Sequence, residues 1–389
     1  MAGGLTGRPW RLPMVARDTA EAGRAATPLE LFFDLCFVVA VAQASGRLHH
    51  AVADGGAGSA IVSYLLVFFA IWWAWMNFSW FSSAYDNDDV PYRLLTFVQI
   101  VGVLILAAGV PRAFDERNFD VVFVGYLVMR VGLVSLWLRA AAHDLEHRRA
   151  ARRYAAGVSL CMVMWLVVLL IGWPAWAFVV AAGVELAVPM YAERGSHTPW
   201  HAHHIAERYG LFTLIVLGES VLAATVAFQH AIDERDTTIA LYLTATAGLI
   251  TVFSMWWLYF AKPAQWFLTS LRVAFTWGYG HYLVFASAAA VGAGIAVNVD
   301  RATHHASVSS AYAGAAVTIP VAVYLVTLWF LQLRPNAPGR LPAVLHLVAA
   351  ALVLAATFAP RPVVVTAVIV AALVATMVWR HARAAPRTT

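Results

Sequence analysis

Apolar positions in this chain do not alternate as in a half-buried strand, nor form the one-faced stripe of a surface helix. They come in long unbroken runs. The runs fall at about 29–48, 61–83, 92–111, 119–140, 156–172, 174–191, 209–229, 237–260, 271–297, 307–333, 341–359 and 362–380. Each is long enough, or nearly so, to carry a helix across about 30 Å of hydrocarbon at about 1.5 Å per residue. Gly172-Trp173-Pro174 and Pro360-Arg361-Pro362 split two longer runs and read as tight turns between helix pairs. The expected fold is all-α, a polytopic transmembrane helical bundle of about twelve spans.

Composition narrows the classes. Hydrophobic residues make up 61% of the chain and charged residues 12%, with a mean hydropathy of +0.71. Soluble domains carry roughly twice that charged share, because a water-facing surface needs it. A chain of 389 residues cannot hide so much apolar surface in its own core, so the lipid bilayer is its expected partner. The net charge of +5 does not point to nucleic acid, because the basic residues stand at the ends of the apolar runs. With the N-terminus inside, 19 of the 26 Lys and Arg residues fall on the cytoplasmic side, six fall outside and Arg130 lies within a span. That asymmetry predicts both termini in the cytoplasm.

Lys262 is the single lysine, so the chain carries no GxxxxGK[ST] loop and no ATP site. Cys36 and Cys161 each sit in an apolar run, which argues against a disulfide or a Cys-ligated metal. No cofactor is implied. The first 28 residues are polar and carry Arg8, Arg11, Arg17 and Arg24 without an apolar signal core, so the first span is expected to act as its own insertion signal.

The two halves echo each other. Leu31-Phe32 matches Leu211-Phe212, Trp72-Trp73 matches Trp256-Trp257, and Arg93 matches Arg272, at offsets of 180, 184 and 179. Six spans per half would give two parallel six-helix repeats related by an axis along the membrane normal, with a site between them. The expected organisation is a cytoplasmic tail over 1–28, a first repeat over 29–191, a His-rich cytoplasmic linker over 192–208, a second repeat over 209–380 and a tail over 381–389.

Four segments carry a family resemblance. Thr27-Pro-Leu-Glu-Leu-Phe-Phe-Asp34 with its continuation to Gln43 resembles the opening motif of the bacterial low temperature requirement A (LtrA) family. So do the stretch from Trp72 to Tyr85-Asp-Asn-Asp-Asp89, the run His204-x-x-Glu-Arg-Tyr-Gly-Leu-Phe-Thr-Leu-Ile-Val-Leu-Gly-Glu-Ser220, and Trp277-Gly-Tyr-Gly-His-Tyr282. The resemblance implies a multi-pass protein of the bacterial plasma membrane, linked by the family's name to growth in the cold. It brings no biochemical activity with it. A fainter likeness is to lysosomal and bacterial potassium channels built from two six-span repeats. Phe33-Asp34 occupies the place of their first-helix Phe-Ser-Asp, but the Ser is absent and the second half has no matching Asp.

Ionisable side chains inside a membrane are costly, so each marks candidate chemistry. Glu219 lies ten residues into its run, about 15 Å deep and near the midplane. His204, Arg208 and Glu219 share a helical stripe, which would suit a proton or cation relay or else a structural ion pair. Glu30 and Asp34 are i and i+4 at the start of the first span. They could share a proton, or simply suit a helix N-terminus. Arg130 demands a buried acid, with Glu219, Glu185 and Asp34 the candidates, or a substrate anion. His281 reads as a hydrogen-bonded core residue or as a relay member. His203 and Glu207 have the spacing that can place two ligands on one metal, though interfacial solvation explains them too.

Asp89, before Val90-Pro91, reads as a helix N-cap, with cation attraction at a pore mouth as the alternative. The tryptophans at 72, 73, 75, 80, 256 and 257 read as packing and interface anchors. The function these residues favour is a pore or secondary carrier for an ion or small polar solute. A membrane-state sensor or scaffold and an intramembrane, metal-dependent enzyme are the alternatives.

Overall fold

A computed structural model of the chain describes residues 10–19, 21, 23–233, 238–266, 268–334 and 340–384. Among them are twelve α-helices and no strand. In chain order they are α1 (Pro28–Ala53), α2 (Ala57–Ala84), α3 (Val90–Asp115), α4 (Asp120–His143), α5 (Arg148–Leu170) and α6 (Ala175–Ala192). They continue as α7 (Ala202–Asp233), α8 (Ile239–Phe260), α9 (Leu271–Ala302), α10 (Ser310–Leu328), α11 (Arg340–Ala356) and α12 (Pro362–Ala384). Residues Trp329–Leu333 extend α10 as a π-turn. Among the described residues, eleven helices are long and apolar enough to cross a membrane, and Leu341–Ala356 within α11 is a shorter apolar helix.

Local chemistry sets many of the boundaries. Thr27 and Glu30 form a capping box on α1: the Thr27 amide donates to Glu30 Oε2 at 2.8 Å and the Glu30 amide to Thr27 Oγ1 at 3.3 Å. Pro28 follows as the first helical residue. Asp89 caps α3 by accepting the Tyr92 amide, as its position before Pro91 predicts. Thr238, Ser270 and Ser309 cap α8, α9 and α10 in the same way. The expected turn between α5 and α6 forms with Gly172 at φ 81° and Trp173 at φ 56°, a left-handed bend that glycine enters without strain.

Two helices start well before their apolar runs, α5 at Arg148 and α7 at Ala202. The segment 192–208 is not all linker, because α7 begins at Ala202, where the His201 ring accepts the His204 amide at 3.2 Å. A polar first turn hides a helix start from a hydropathy pattern.

The chain folds into two compact units that interleave in sequence. The first gathers the chain through Gln43 with Phe69–Arg208, and the second gathers Ala44–Phe68 with everything from Tyr209 onward. In the first, α3 packs on α4, α4 on α5 and α5 on α6. The α3–α4 approach depends on small residues: a Cβ on Gly125 would sit 2.5 Å from the Leu106 amide nitrogen. In the second unit α9, the most buried candidate span, packs on α8 and α10, and α12 packs on α8, α10 and α11. A Cβ on Gly294 would run into the Ala316 carbonyl of α10.

Candidate functional site

In the first unit the acids of α1, the polar side chains of α2 and His204 of α7 converge on Arg208. Its Nε and Nη2 donate to Asp34 Oδ2 and Oδ1 at 2.9 and 2.5 Å, a bidentate pair. Nη1 donates to Glu30 Oε1 at 2.9 Å and to Ser82 Oγ at 3.0 Å, and Nη2 also reaches Ser79 Oγ at 3.2 Å. All five guanidinium donors are thereby used. Trp75 Nε1 donates to Asp34 at 2.7 Å, and His204 Nε2 meets Glu30 Oε2 at 3.2 Å. Glu30, Asp34, His204 and Arg208 are each fully buried. Glu30 and Asp34, read as sharing a proton or as suiting a helix N-terminus, share one arginine, and Glu30 also serves the capping box of α1. Trp75, expected as a packing or interface anchor, is a buried hydrogen-bond donor to the cluster.

Of the polar segment that precedes α1, residues 10–19, 21 and 23–27 form a strap against this cluster's end of the first unit. Met14 is fully buried, and the Arg17 amide donates to the Ala84 carbonyl at 3.1 Å. Arg24 is buried and donates to the carbonyls of Ser82 and Ser83. Burial pushes its guanidinium below the ordinary value. His203 Nδ1 meets the Arg24 carbonyl at 3.1 Å, and Glu207 accepts the Ala26 amide at 3.0 Å. The two residues spaced as metal ligands therefore hold strap backbone. Among the described residues no three His, Cys, Asp or Glu side chains converge as metal ligands.

At the same end, burial and the nearby Glu30 charge push the Asp86 carboxyl up to about 6, and its Oδ1 is buried without a hydrogen-bond partner. Asp89 behaves oppositely. Burial alone would raise it, but Arg139 and the amides of Leu12 and Tyr92 hold it down at about 2.

Arg130 on α4 has its acid. Of the three candidates it pairs with Glu185 on α6, Nη2 lying 3.1 and 3.2 Å from the two carboxylate oxygens, while its guanidinium stacks 4.8 Å from the Tyr126 ring centre. Both charges are buried.

The second unit holds a different arrangement. Glu219 on α7 is buried, and its Oε2 has no hydrogen-bond partner. The Ser45 hydroxyl is its polar neighbour and also donates to the Ala289 carbonyl at 2.9 Å. Tyr64 and Ser220 donate to the Ala286 and Ala288 carbonyls at 2.7 and 2.9 Å. Hydroxyls of Ser45, Tyr64 and Ser220 on carbonyls of α9 thus make a polar seam beside an acid that has no ion-pair partner among the described residues. His281 is locked instead: Nδ1 donates to the Trp277 carbonyl at 2.7 Å, and Tyr259 Oη lies 3.0 Å from Nε2. It is fully buried among Tyr209, Trp277 and Phe285, a core histidine with both nitrogens engaged. No hydrogen bond or ion pair joins it to Glu219 among the described residues.

Arg208 is where reading the sequence fell short. Its acids lie 174 and 178 positions away, and neither spacing nor hydropathy signals such a pairing. The capping box Thr27-x-x-Glu30 was the available sign that Glu30 serves the start of its helix.

Comparison with known proteins bears on the whole chain. The family model described as bacterial low temperature requirement A protein matches residues 25–378. An uncharacterized protein of Rhizobium meliloti (strain 1021) is 29% identical over 267 residues, covering 64% of this chain. The match takes in 61% of that relative's length, so the chain spans about three fifths of it.

Proposed function

This chain belongs to the bacterial low temperature requirement A family, and on that premise we propose that it is a pore or secondary carrier for a proton, another small cation or a small polar solute. Its many apolar helices make it a multi-pass protein of a bacterial membrane. Glu219 is the residue that loads and unloads. One observation carries the reading: among the described residues Glu219, alone of the buried acids of α1, α6 and α7 discussed above, lacks a guanidinium, and one of its oxygens has no hydrogen-bond partner. A bare carboxylate at such depth is expensive, so a proton or a cation must come to it. The hydroxyls of Ser45 and Tyr64 and the α9 carbonyls nearby are the polar groups that would pass a small cation along. Both termini lie in the cytoplasm in this proposal, on the distribution of basic residues.

The test is flux in liposomes holding the purified full chain, under proton, potassium and sodium gradients in turn. The wild type should dissipate at least one gradient. Glu219→Gln, which keeps the shape and removes the charge, should lower that flux at least roughly tenfold while eluting as a folded protein. Full flux through the Gln variant would overturn the assignment of Glu219.

A further inference from the structure

Away from these acids, α5 and α6 of the first unit enclose an open groove of about 800 Å³. Its lining changes character along one helix face. Arg149, Arg152 and Arg153 are followed at the same helical spacing by Ala156, Gly157 and Leu160, and α6 supplies Val184, Ala187 and Val188 opposite. Arg148 stands at the same mouth, with Glu146 as the one acid of the lining. Two of the four arginines are already engaged. Arg148 donates to the Ala141 carbonyl at 2.8 Å, and Arg153 donates to the Arg194 carbonyl and stacks 5.3 Å from the Tyr191 ring centre. Arg149 and Arg152 are exposed and have no hydrogen bond or ion pair among the described residues.

We infer that this groove is a binding site for an anionic phospholipid. The arginines occupy the first six residues of a membrane-spanning helix, within about 9 Å of its end, which is headgroup depth. Below them the lining is almost entirely apolar and lies at acyl-chain depth. A cationic mouth over an apolar floor, continuous along one face, complements a phosphate with chains attached. A free nucleotide or an acidic peptide would leave the floor empty. Basic pockets between spans on the cytoplasmic side suit such headgroups, and this end of α5 is cytoplasmic in the orientation proposed above. The Gly157–Val188 contact shapes the floor, since a Cβ on Gly157 would come within 2.7 Å of the Val188 side chain.

The experiment uses the full chain in neutral detergent, titrated with phosphatidylglycerol, phosphatidylcholine or inorganic phosphate. Native mass spectrometry counts retained lipid, and thermal unfolding reports stabilisation. Phosphatidylglycerol should be retained at least about tenfold better than phosphatidylcholine, and phosphate alone should not stabilise. Each arginine near an anionic headgroup contributes a factor of about five, so Arg149→Gln with Arg152→Gln should weaken retention roughly thirtyfold. The corresponding Lys pair should stay within about threefold of wild type, because the charge remains. Equal retention of the two lipids by the wild type overturns the inference, whether or not the Gln pair folds. So does a folded Gln pair that binds phosphatidylglycerol as the wild type does, and so does equal stabilisation by phosphate alone.

Discussion

The two units treat buried charge in opposite ways. In the first, two arginines deep in the fold are matched by acids: Arg208 by Glu30 and Asp34, and Arg130 by Glu185. In the second, Glu219 stands beside hydroxyls with no cationic partner among the described residues. A compensated cluster with all its donors used is a structural lock, since moving any member strands a charge. An uncompensated acid is free to exchange its counterion, which is what transport asks of it. Under the proposed function the contrast assigns stability to the Arg208 cluster and chemistry to Glu219, and it can be broken by substitution.

The largest expected effect is at Arg208. Arg208→Gln leaves two buried carboxylates facing each other and should cost about 3–5 kcal/mol, read as a collapse of folded yield and thermal midpoint. Arg208→Lys should recover only part of this, because an ammonium cannot make the fork to Asp34. A fully stable Gln variant would erase the contrast between the units. Next comes Arg130→Gln, which strands Glu185 and should cost about 3 kcal/mol in the same assay. Adding Glu185→Gln should return much of the loss, and a double variant as unstable as the single would show that the pair is not the lock.

A smaller effect concerns the strap. Asp86 sits near 6 in the folded chain, against an ordinary carboxylate value of about 4, so the folded state binds the proton more tightly. Its contribution is present below about pH 4 and is lost as the pH rises through 6. Protection of residues 10–19 from proteolysis should therefore weaken between about pH 4 and 6, with Arg24, Arg17, Glu30 and Asp88 as the charges facing the group. Asp86→Asn should flatten that profile; an unchanged profile would remove Asp86 from the account.

The smallest stability change is expected at Glu219. Glu219→Gln replaces a costly unpaired acid with a neutral isostere, so the thermal midpoint should stay within about 1 kcal/mol of wild type or rise. A loss as large as that of Arg208→Gln would mean that Glu219 is a lock after all.

The sequence by itself determined the helices and the places where charge enters the membrane. Spans are legible because bilayer thickness sets a run length that hydropathy reports directly, and caps such as Asp89 are legible because they act within three residues. The early start at Ala202 follows from the same limit: its first turn is polar, and what caps it is a histidine ring rather than a Ser, Thr, Asp or Asn. Glu30, Asp34, Arg130, Glu185, Arg208 and Glu219 could all be named as residues needing partners. Only the tertiary structure decided who met whom. It gave Arg208 to Asp34 and Glu30, gave Glu185 to Arg130, drew residues 10–19 and 23–27 into a strap, and left Glu219 without a guanidinium among the described residues. The physical reason is range. Burial of a single helix depends on its own composition, whereas an ion pair depends on which helix faces pack, and that is settled by small-residue contacts and by pairings across 174 and 178 positions of chain.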